Sequence, residues 1–201
     1  MKGGFAMLGG SFDPVHLGHL FLLHCAVTLS PYSSFFVVPA AQSNFKRDNS
    51  PVAGDFDRLE MLKLALEDYK ELYPDDAADV RILDCELKKG GISYTYETVI
   101  SVKKQYGIDG RLGLVIGDDH IGQLTKWYEF ERLKEEVEFV ICRRLEKPQW
   151  DKVPCGVKYL RIEPQFTMPQ SASDIRENGH VNTGNLSKRV IEYVRRKNLY
   201  R

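Results

Sequence analysis

Short apolar runs and amphipathic stretches take turns along this chain of 201 residues. Residues 4–8 are compactly apolar and end in the pair Gly9-Gly10, which predicts a buried strand running into a tight turn. A helix is expected from about 18 to 29, with Pro31 as its stop, and Phe35, Phe36, Val37 and Val38 make 34–39 a second buried strand. Residues 40–53 are polar and irregular, the pattern of a mobile loop, whereas Leu59, Leu62, Ala65, Leu66 and Tyr69 recur at helical spacing within 56–69. In 80–87 apolar and charged positions alternate as in an exposed or edge strand. A helix over 94–106, a buried strand over 112–116 ending at Gly117, helical pieces over 121–133 and a fourth buried strand over 137–142 follow. A proline-containing loop at 147–156 leads to a last strand over 157–162, and the tail holds a short helix near 171–177 and a longer one from about 185 to 197.

Continuous apolar strands alternating with helices imply a parallel sheet covered on both faces. The expected fold class is α/β, a Rossmann-like doubly wound sheet flanked by helices, with a small helical part at about 169–201. No repeat, low-complexity tract or linker divides the chain, so 1–201 reads as one domain. Ligands of such sheets sit beyond the carboxyl ends of the strands, where strand order reverses. The segments of chemical interest all follow predicted strand ends.

Composition narrows the function classes. The 28 basic and 28 acidic residues cancel, which disfavours wrapping a nucleic acid while leaving room for a local cluster around a small anion. Cys25, Cys85, Cys142 and Cys155 are far apart and form no C-x-x-C pair, so neither a zinc site nor a disulfide framework is suggested, and the cytoplasm suits them. The apolar run 5–8 is too short for a signal peptide, and no segment has the length of a membrane span. The expectation is a cytoplasmic chain with no nucleic-acid or membrane partner, and a homo-oligomer is compatible with it.

The segment Gly9-Gly10-Ser11-Phe12-Asp13-Pro14-Val15-His16-Leu17-Gly18-His19 carries the strongest chemistry. Glycines after a strand let backbone approach a ligand closely, and a helix start offers N–H groups and partial positive charge to phosphate. Asp13 is expected as the N-cap with Pro14 at the first helical position. His16 and His19, three apart, face the same way and can donate to phosphate oxygens. The loop has neither the G-x-x-x-x-G-K-[ST] lysine nor G-x-G-x-x-G spacing, which argues against a P-loop ATPase and an ordinary dinucleotide dehydrogenase. A structural turn or a two-histidine metal site are the alternatives, but a metal would want a third ligand, and His24 lies further along the helix.

Three further segments join it. Ser171-Ala172-Ser173-Asp174-Ile175-Arg176 sets hydroxyls and a guanidinium at a short helix start, a phosphate site or, taken alone, merely an N-cap. Gly117-Asp118-Asp119-His120 follows a buried strand, where a carboxylate can bond a ribose or help hold a metal–nucleotide complex. Trp127-Tyr128 offers an aromatic face for a flat ring, and Ser93-Tyr94-Thr95 a hydroxyl and N–H groups for a carboxylate.

The first segment closely resembles the G-G-[ST]-F-D-P-x-H-x-G-H signature of the adenylyltransferase branch of the H-x-G-H nucleotidyltransferases. The resemblance implies that Gly9, Gly10, Ser11, Phe12 and Gly18 line an ATP site and that His16 and His19 stabilise the α-phosphate. The 171–176 segment is similar to the family's I-S-S-T-x-I-R motif, so Ser171, Ser173, Ile175 and Arg176 would grip the β- and γ-phosphates, with Ala172 and Gln170 as departures. G-x-D followed by L-x-x-W is matched by Gly117, Asp119, Leu124 and Trp127, which makes Asp119 the ligand-facing carboxylate and leaves Asp118 and His120 without a role.

S-Y-T-x-x-T together with W-Y resembles the bacterial nicotinate-mononucleotide adenylyltransferases. Trp127 and Tyr128 would then stack on a pyridine ring and the Thr95 region hold its carboxylate. Lys46 would reach phosphate from Asn44-Phe45-Lys46, where the family has P-x-K or P-H-K. Arg58-Leu59-Glu60-Met61-Leu62, Val140 to Arg144 and the helix from Val190 match further family segments. The implied reaction moves AMP from ATP to nicotinate mononucleotide in NAD biosynthesis, with His16, His19, Lys46 and Arg176 as the electrostatic set. Mg²⁺ would ride on the triphosphate, with no metal ligand from protein side chains. A related H-x-G-H enzyme using nicotinamide mononucleotide or phosphopantetheine, or a non-catalytic nucleotide sensor of the same fold, are the rival readings.

Overall fold

A computed structural model describes residues 3–43, 51–166 and 183–200. In chain order the described elements are β1 (Phe5–Gly10), α1 (Leu17–Leu29), β2 (Ser34–Pro39), β3 (Gln42–Ser43), α2 (Asp55–Leu72), β4 (Asp79–Ile82), α3 (Cys85–Lys89), β5 (Ile92–Ser93), α4 (Thr95–Tyr106), β6 (Leu112–Gly117), a 3₁₀ stretch Asp118–Lys126, α5 (Phe130–Glu136), β7 (Val137–Cys142), β8 (Tyr159–Ile162) and α6 (Lys188–Lys197). Short 3₁₀ turns at Trp150–Lys152 and Thr183–Asn185 complete the list for the described residues. The expected boundaries hold to within a few residues for most elements.

Among the described residues six strands form one sheet in the order β4-β2-β1-β6-β7-β8, every pair parallel. The chain starts at the centre with β1, builds outward through β2 to β4, then returns to β1's other side and builds outward again. The order therefore reverses between β1 and β6, the position where doubly wound sheets bind ligands. Register puts Gly10 opposite Pro39 and Gly117 opposite Cys142, so the strand ends that precede the candidate segments lie along one edge.

Strand alternation sends successive side chains to opposite faces. Ala6, Leu8, Phe35, Val37, Val115, Val140 and Cys142 pack on one face with α1, α2 and α6, while Met7, Phe36, Val38, Leu114, Ile116, Phe139 and Ile141 pack on the other with α4 and α5. Helix α1 lies inside the first layer: Leu20, Phe21, Leu22, Leu23, Cys25, Ala26 and Val27 are all buried, as suits a helix that is apolar almost all round. Helix α6 seals α2 from outside, with Arg189 reaching Asp68 and Glu71 and the Tyr193 hydroxyl donating to Asp57 at 2.7 Å.

Two differences from the sequence reading have physical causes. The edge strand expected over 80–87 ends at Ile82, and Cys85–Lys89 is helical instead. Glu86 in its first turn and Lys88 and Lys89 in its last complement the helix dipole, and Gly90 stops it at φ 68°. The second difference is a parallel pairing of β3 with β5, strands of two residues each and too short to leave a periodic trace. The loop expected at 40–53 therefore begins with a paired strand. Residues 44–50 and the helix expected near 171–177 lie outside the described residues.

Candidate active site

The loop between β1 and α1 is held from beneath by buried polar groups. Asp13 is 2% exposed, and its carboxylate accepts from the Val52 and Ala53 N–H groups at 2.8 and 3.0 Å and from the Tyr200 hydroxyl at 2.8 Å. This corrects the expected N-cap: with its oxygens so engaged, Asp13 does not cap α1. His16 takes the N-cap position with extended backbone, and Leu17 rather than Pro14 opens the helix. Arg58, wholly buried, donates to the carbonyls of Ser11 at 2.7 Å and Ala41 at 3.2 Å and to Asp55 at 2.6 Å. It ties the first loop to the segment after β2.

Two glycines are explained by what surrounds them. A Cβ on Gly10 would press on the Phe12 ring at 3.2 Å, whereas Gly9 is exposed with open space where its Cβ would stand. Gly9 is thus the place where a ligand can come against bare backbone. Phe12 sits in the left-handed region at φ 47°, a strained conformation for an aromatic residue. Its ring is buried and lies 4.9 Å from that of His19. Ser11 is half-buried at the rim, and Gly18 is buried in the first turn of α1.

The two histidines come together as their spacing requires, with ring centroids 3.7 Å apart. The His16 N–H donates to Nδ1 of His19 at 3.2 Å. A ring nitrogen that accepts a hydrogen bond carries no proton, so the neutral His19 imidazole holds its hydrogen on Nε2 and presents a donor there. His16 is 3% exposed and His19 half-buried, so the pair forms a wall at the start of α1. Leu17 and Gly18, at the first helical positions, have N–H groups that no carbonyl of α1 can reach.

Across the strand-order reversal, Gly117 ends β6. A Cβ there would fall 2.2 Å from an Asp119 carboxylate oxygen and 2.6 Å from Arg144 Cδ, so any side chain here would displace this pair. Asp119, partly exposed, faces the Arg144 guanidinium at 3.3 Å, while Asp118 is buried and accepts from the Arg144 and Leu145 N–H groups at 2.8 and 3.2 Å. The adjacent carboxylates are therefore divided, Asp118 fastening β6 to β7 and Asp119 remaining at the mouth.

Trp127 closes the 3₁₀ stretch, half-buried against Phe139 at 6.4 Å with His120 edge-on at 6.0 Å. Tyr128 is exposed and its ring lies 4.4 Å from that of Tyr94, the residue that precedes Thr95 at the start of α4. Tyr128 thus meets the beginning of α4, where Thr95 stands, while Trp127 packs toward β7. Lys46, Ser171, Ser173, Ile175 and Arg176 lie outside the described residues. Among the described residues no three His, Cys, Asp or Glu side chains gather as a metal cluster. Burial pushes the Cys25 thiol up to about 11 and that of Cys142 further still, which makes both packing groups rather than nucleophiles.

Arg58, Asp13 and Tyr200 were missed as working residues. Arg58 had a legible signal: with Met61, Leu62 and Ala65 it lies on the buried stripe of α2, and a cation there has to find buried acceptors. Tyr200 had none, because its partner lies 187 residues away.

A family model described as cytidylyltransferase-like matches residues 7–178. A protein of Borreliella burgdorferi named "probable nicotinate-nucleotide adenylyltransferase" is 32% identical over 198 residues, covering 97% of this chain and 95% of the relative. A protein of the same name from Escherichia coli is 30% identical, with both chains covered completely. Among solved structures, Plasmodium falciparum nicotinic acid mononucleotide adenylyltransferase complexed with NaAD superposes with a TM-score of 0.76 at 20% identity, over 98% of this chain and 97% of that one, which shows the shared fold. With the glycine turn, the paired histidines and the reversal of strand order in place, the chain belongs to the cytidylyltransferase-like nucleotidyltransferases and, within them, to the nicotinate-nucleotide adenylyltransferase family.

Proposed function

We infer that the chain transfers AMP from ATP to nicotinate mononucleotide, releasing pyrophosphate and forming nicotinate adenine dinucleotide. The observation that carries the transfer chemistry is the His16–His19 pair at the start of α1, in the loop that leaves β1 at the bare backbone of Gly9. The acceptor's phosphate oxygen attacks the α-phosphorus, a P–O bond forms, and the bond to the β,γ-bridged leaving group breaks. A phosphate nucleophile is already anionic, so no base is needed. Donors placed where charge develops, together with alignment of the two substrates, supply the acceleration. His19, donating through Nε2, serves the α-phosphate, and His16 fixes its tautomer through the backbone N–H. Gly9, Gly10, Ser11, Phe12 and Gly18 form the ATP wall, and Gly117 and Asp119 face it from β6. Lys46 and Arg176, with Ser171, Ser173 and Ile175, complete the phosphate site in this proposal. Mg²⁺ enters as part of the ATP substrate.

Support for the acceptor is of two kinds: the relatives' name, and the aromatic face of Trp127 and Tyr128 beside the start of α4. Trp127 and Tyr128 would receive the pyridine ring and the Thr95 region its carboxylate. The four unpaired thiols suit a reducing compartment, and we place the reaction in the cytoplasm. Among the described residues no helix is long and apolar enough to cross a membrane. Pyrophosphate release is to be measured with ATP and each of nicotinate mononucleotide, nicotinamide mononucleotide and phosphopantetheine. The highest kcat/KM is expected for nicotinate mononucleotide; preference for either of the others overturns the acceptor assignment, and ATP binding without turnover on any of them overturns the enzyme reading.

A further inference from the structure

A continuous set of hydrogen bonds runs between the two halves of the site, and neither half explains it alone. It starts at the first loop, where Arg58 holds the Ser11 carbonyl at 2.7 Å and, with its other terminal nitrogen, the Ala41 carbonyl at 3.2 Å. The Ala41 N–H donates to the Ser93 hydroxyl oxygen at 3.1 Å, across the small β3–β5 pairing. Ser93 in turn donates to the Glu86 carboxylate, and the Thr98 hydroxyl donates to the same carboxylate. Thr98 stands one turn into α4, three residues beyond Thr95, so it shares the face and the turn that open the helix.

Direction matters along this chain of groups. Ser93 has one hydrogen; its oxygen accepts from Ala41 through a lone pair, which leaves that hydrogen to be donated to Glu86. Thr98 likewise has one hydrogen, and the Tyr94 carbonyl at 3.3 Å is its weaker alternative. An ionised carboxylate, with two acceptor oxygens and no hydrogen of its own, takes both hydroxyls at once. Helix α3 supplies it from a position where burial holds the Glu86 carboxyl above the usual carboxylate range, against the opposing pull of both hydroxyls and of Lys89. A carboxylate in that setting costs stability, and a neutral residue there would cost less.

We propose that Glu86 is a positioning residue that, through Ser93, Ala41 and Arg58 on one side and Thr98 on the other, sets the acceptor-binding start of α4 at a fixed place relative to the ATP loop. The inference rests on the acceptor reading above. In an in-line transfer the enzyme has to hold two separately bound substrates at attack distance, and small errors in their separation are expensive. The Arg58 end of the network belongs to the ATP loop and the Thr98 end to the acceptor face, so Glu86 touches no substrate and acts by coupling the two.

The test is Glu86→Gln in the whole 201-residue chain, which keeps the shape but replaces one acceptor oxygen by a donor and so costs the relay one of its two hydroxyl contacts. KM for nicotinate mononucleotide is expected to rise about fivefold, the factor carried by one ordinary hydrogen bond, while KM for ATP stays within about twofold. The melting temperature at neutral pH is expected to hold or rise. That split separates positioning from a merely structural role, which would lower the melting temperature and leave the ratio of the two KM values alone. Glu86→Asp, which keeps both acceptor oxygens on a shorter stem, should recover part of the acceptor KM. Thr98→Val is the second variant, removing one donor to Glu86 and leaving Ser93 in place, and it should move the same KM in the same direction. Unchanged acceptor KM in both Glu86→Gln and Thr98→Val overturns the proposal. Wild-type enzyme that fails to use nicotinate mononucleotide overturns the acceptor reading instead, and the two failures are read from different samples.

Discussion

Around the β1–α1 loop the structure leaves little freedom: Asp13, His16 and Arg58 are buried, Phe12 is pinned under Gly10, and Asp13 and Arg58 between them grip three other segments. The region of Trp127, Tyr128 and the start of α4 is looser. Its aromatic residues are half-buried or exposed, and its link to the rest of the site passes through hydroxyl groups. On the proposed function, the contrast follows from what each half would hold. Charge developing on phosphate rewards donors that do not move, since reorganising them during reaction forfeits most of their value. A flat ring tolerates small displacements on an aromatic surface, because stacking is broad in geometry. Turnover should therefore reside in the first region and acceptor affinity in the second.

The sharpest way to break that comparison is His19→Ala. With the Nε2 donor gone, kcat should fall by about 10²–10³, with far-ultraviolet circular dichroism unchanged. Near-normal turnover would remove the loop from the chemistry. Trp127→Ala is the counterpart on the other side: steady-state kinetics should show acceptor KM up roughly tenfold and kcat within a few-fold, the loss expected for one ring–aromatic stack. A fall in kcat as large as that of His19→Ala would erase the distinction between the halves. Tyr200→Phe probes the support beneath the loop. It deletes one hydrogen bond to a carboxylate, worth about 1.5–3 kcal/mol, and calorimetry should show a melting temperature lower by several degrees. Acceptor KM should be unmoved.

The smallest effect concerns pH. The folded-state pKa of Glu86 is raised, so between the ordinary carboxylate value and that raised value the folded chain holds a proton that the unfolded chain has released. Stability from this group is present at the acid end and is lost as pH rises through that window. Glu86→Gln has no such loss, so its melting temperature relative to wild type should climb as pH rises from the ordinary carboxylate value through that window. A difference that shrinks over the same range would show that the Ser93 and Thr98 hydroxyls and Lys89 together outweigh the burial.

How much of this was legible in the sequence depends on how far apart the partners lie. The buried strands β1, β2, β6 and β7 were read nearly to the residue, because each is a contiguous apolar run. The first loop was legible for the same reason: glycines, histidines and helix start all fall within eleven consecutive positions. The cap of α1 was misread, since Asp13 next to a proline satisfies the local rule while its actual partners are Val52, Ala53 and Tyr200. The Glu86 network was invisible for a similar reason. Ser93 and Thr98 were seen only as parts of a local pattern, and nothing near Ala41 signals that its N–H turns toward Ser93.

The bond from Tyr200 to Asp13 also bears on the order in which the molecule is made. Synthesis runs from the amino end, so the β1–α1 loop waits for a side chain translated 187 residues later. At about 5–20 residues per second that is a delay on the order of ten to forty seconds. Until residue 200 has cleared the exit tunnel, the Asp13 carboxylate lacks one of its buried partners. The β1–α1 loop is thus completed only by a residue translated long after it.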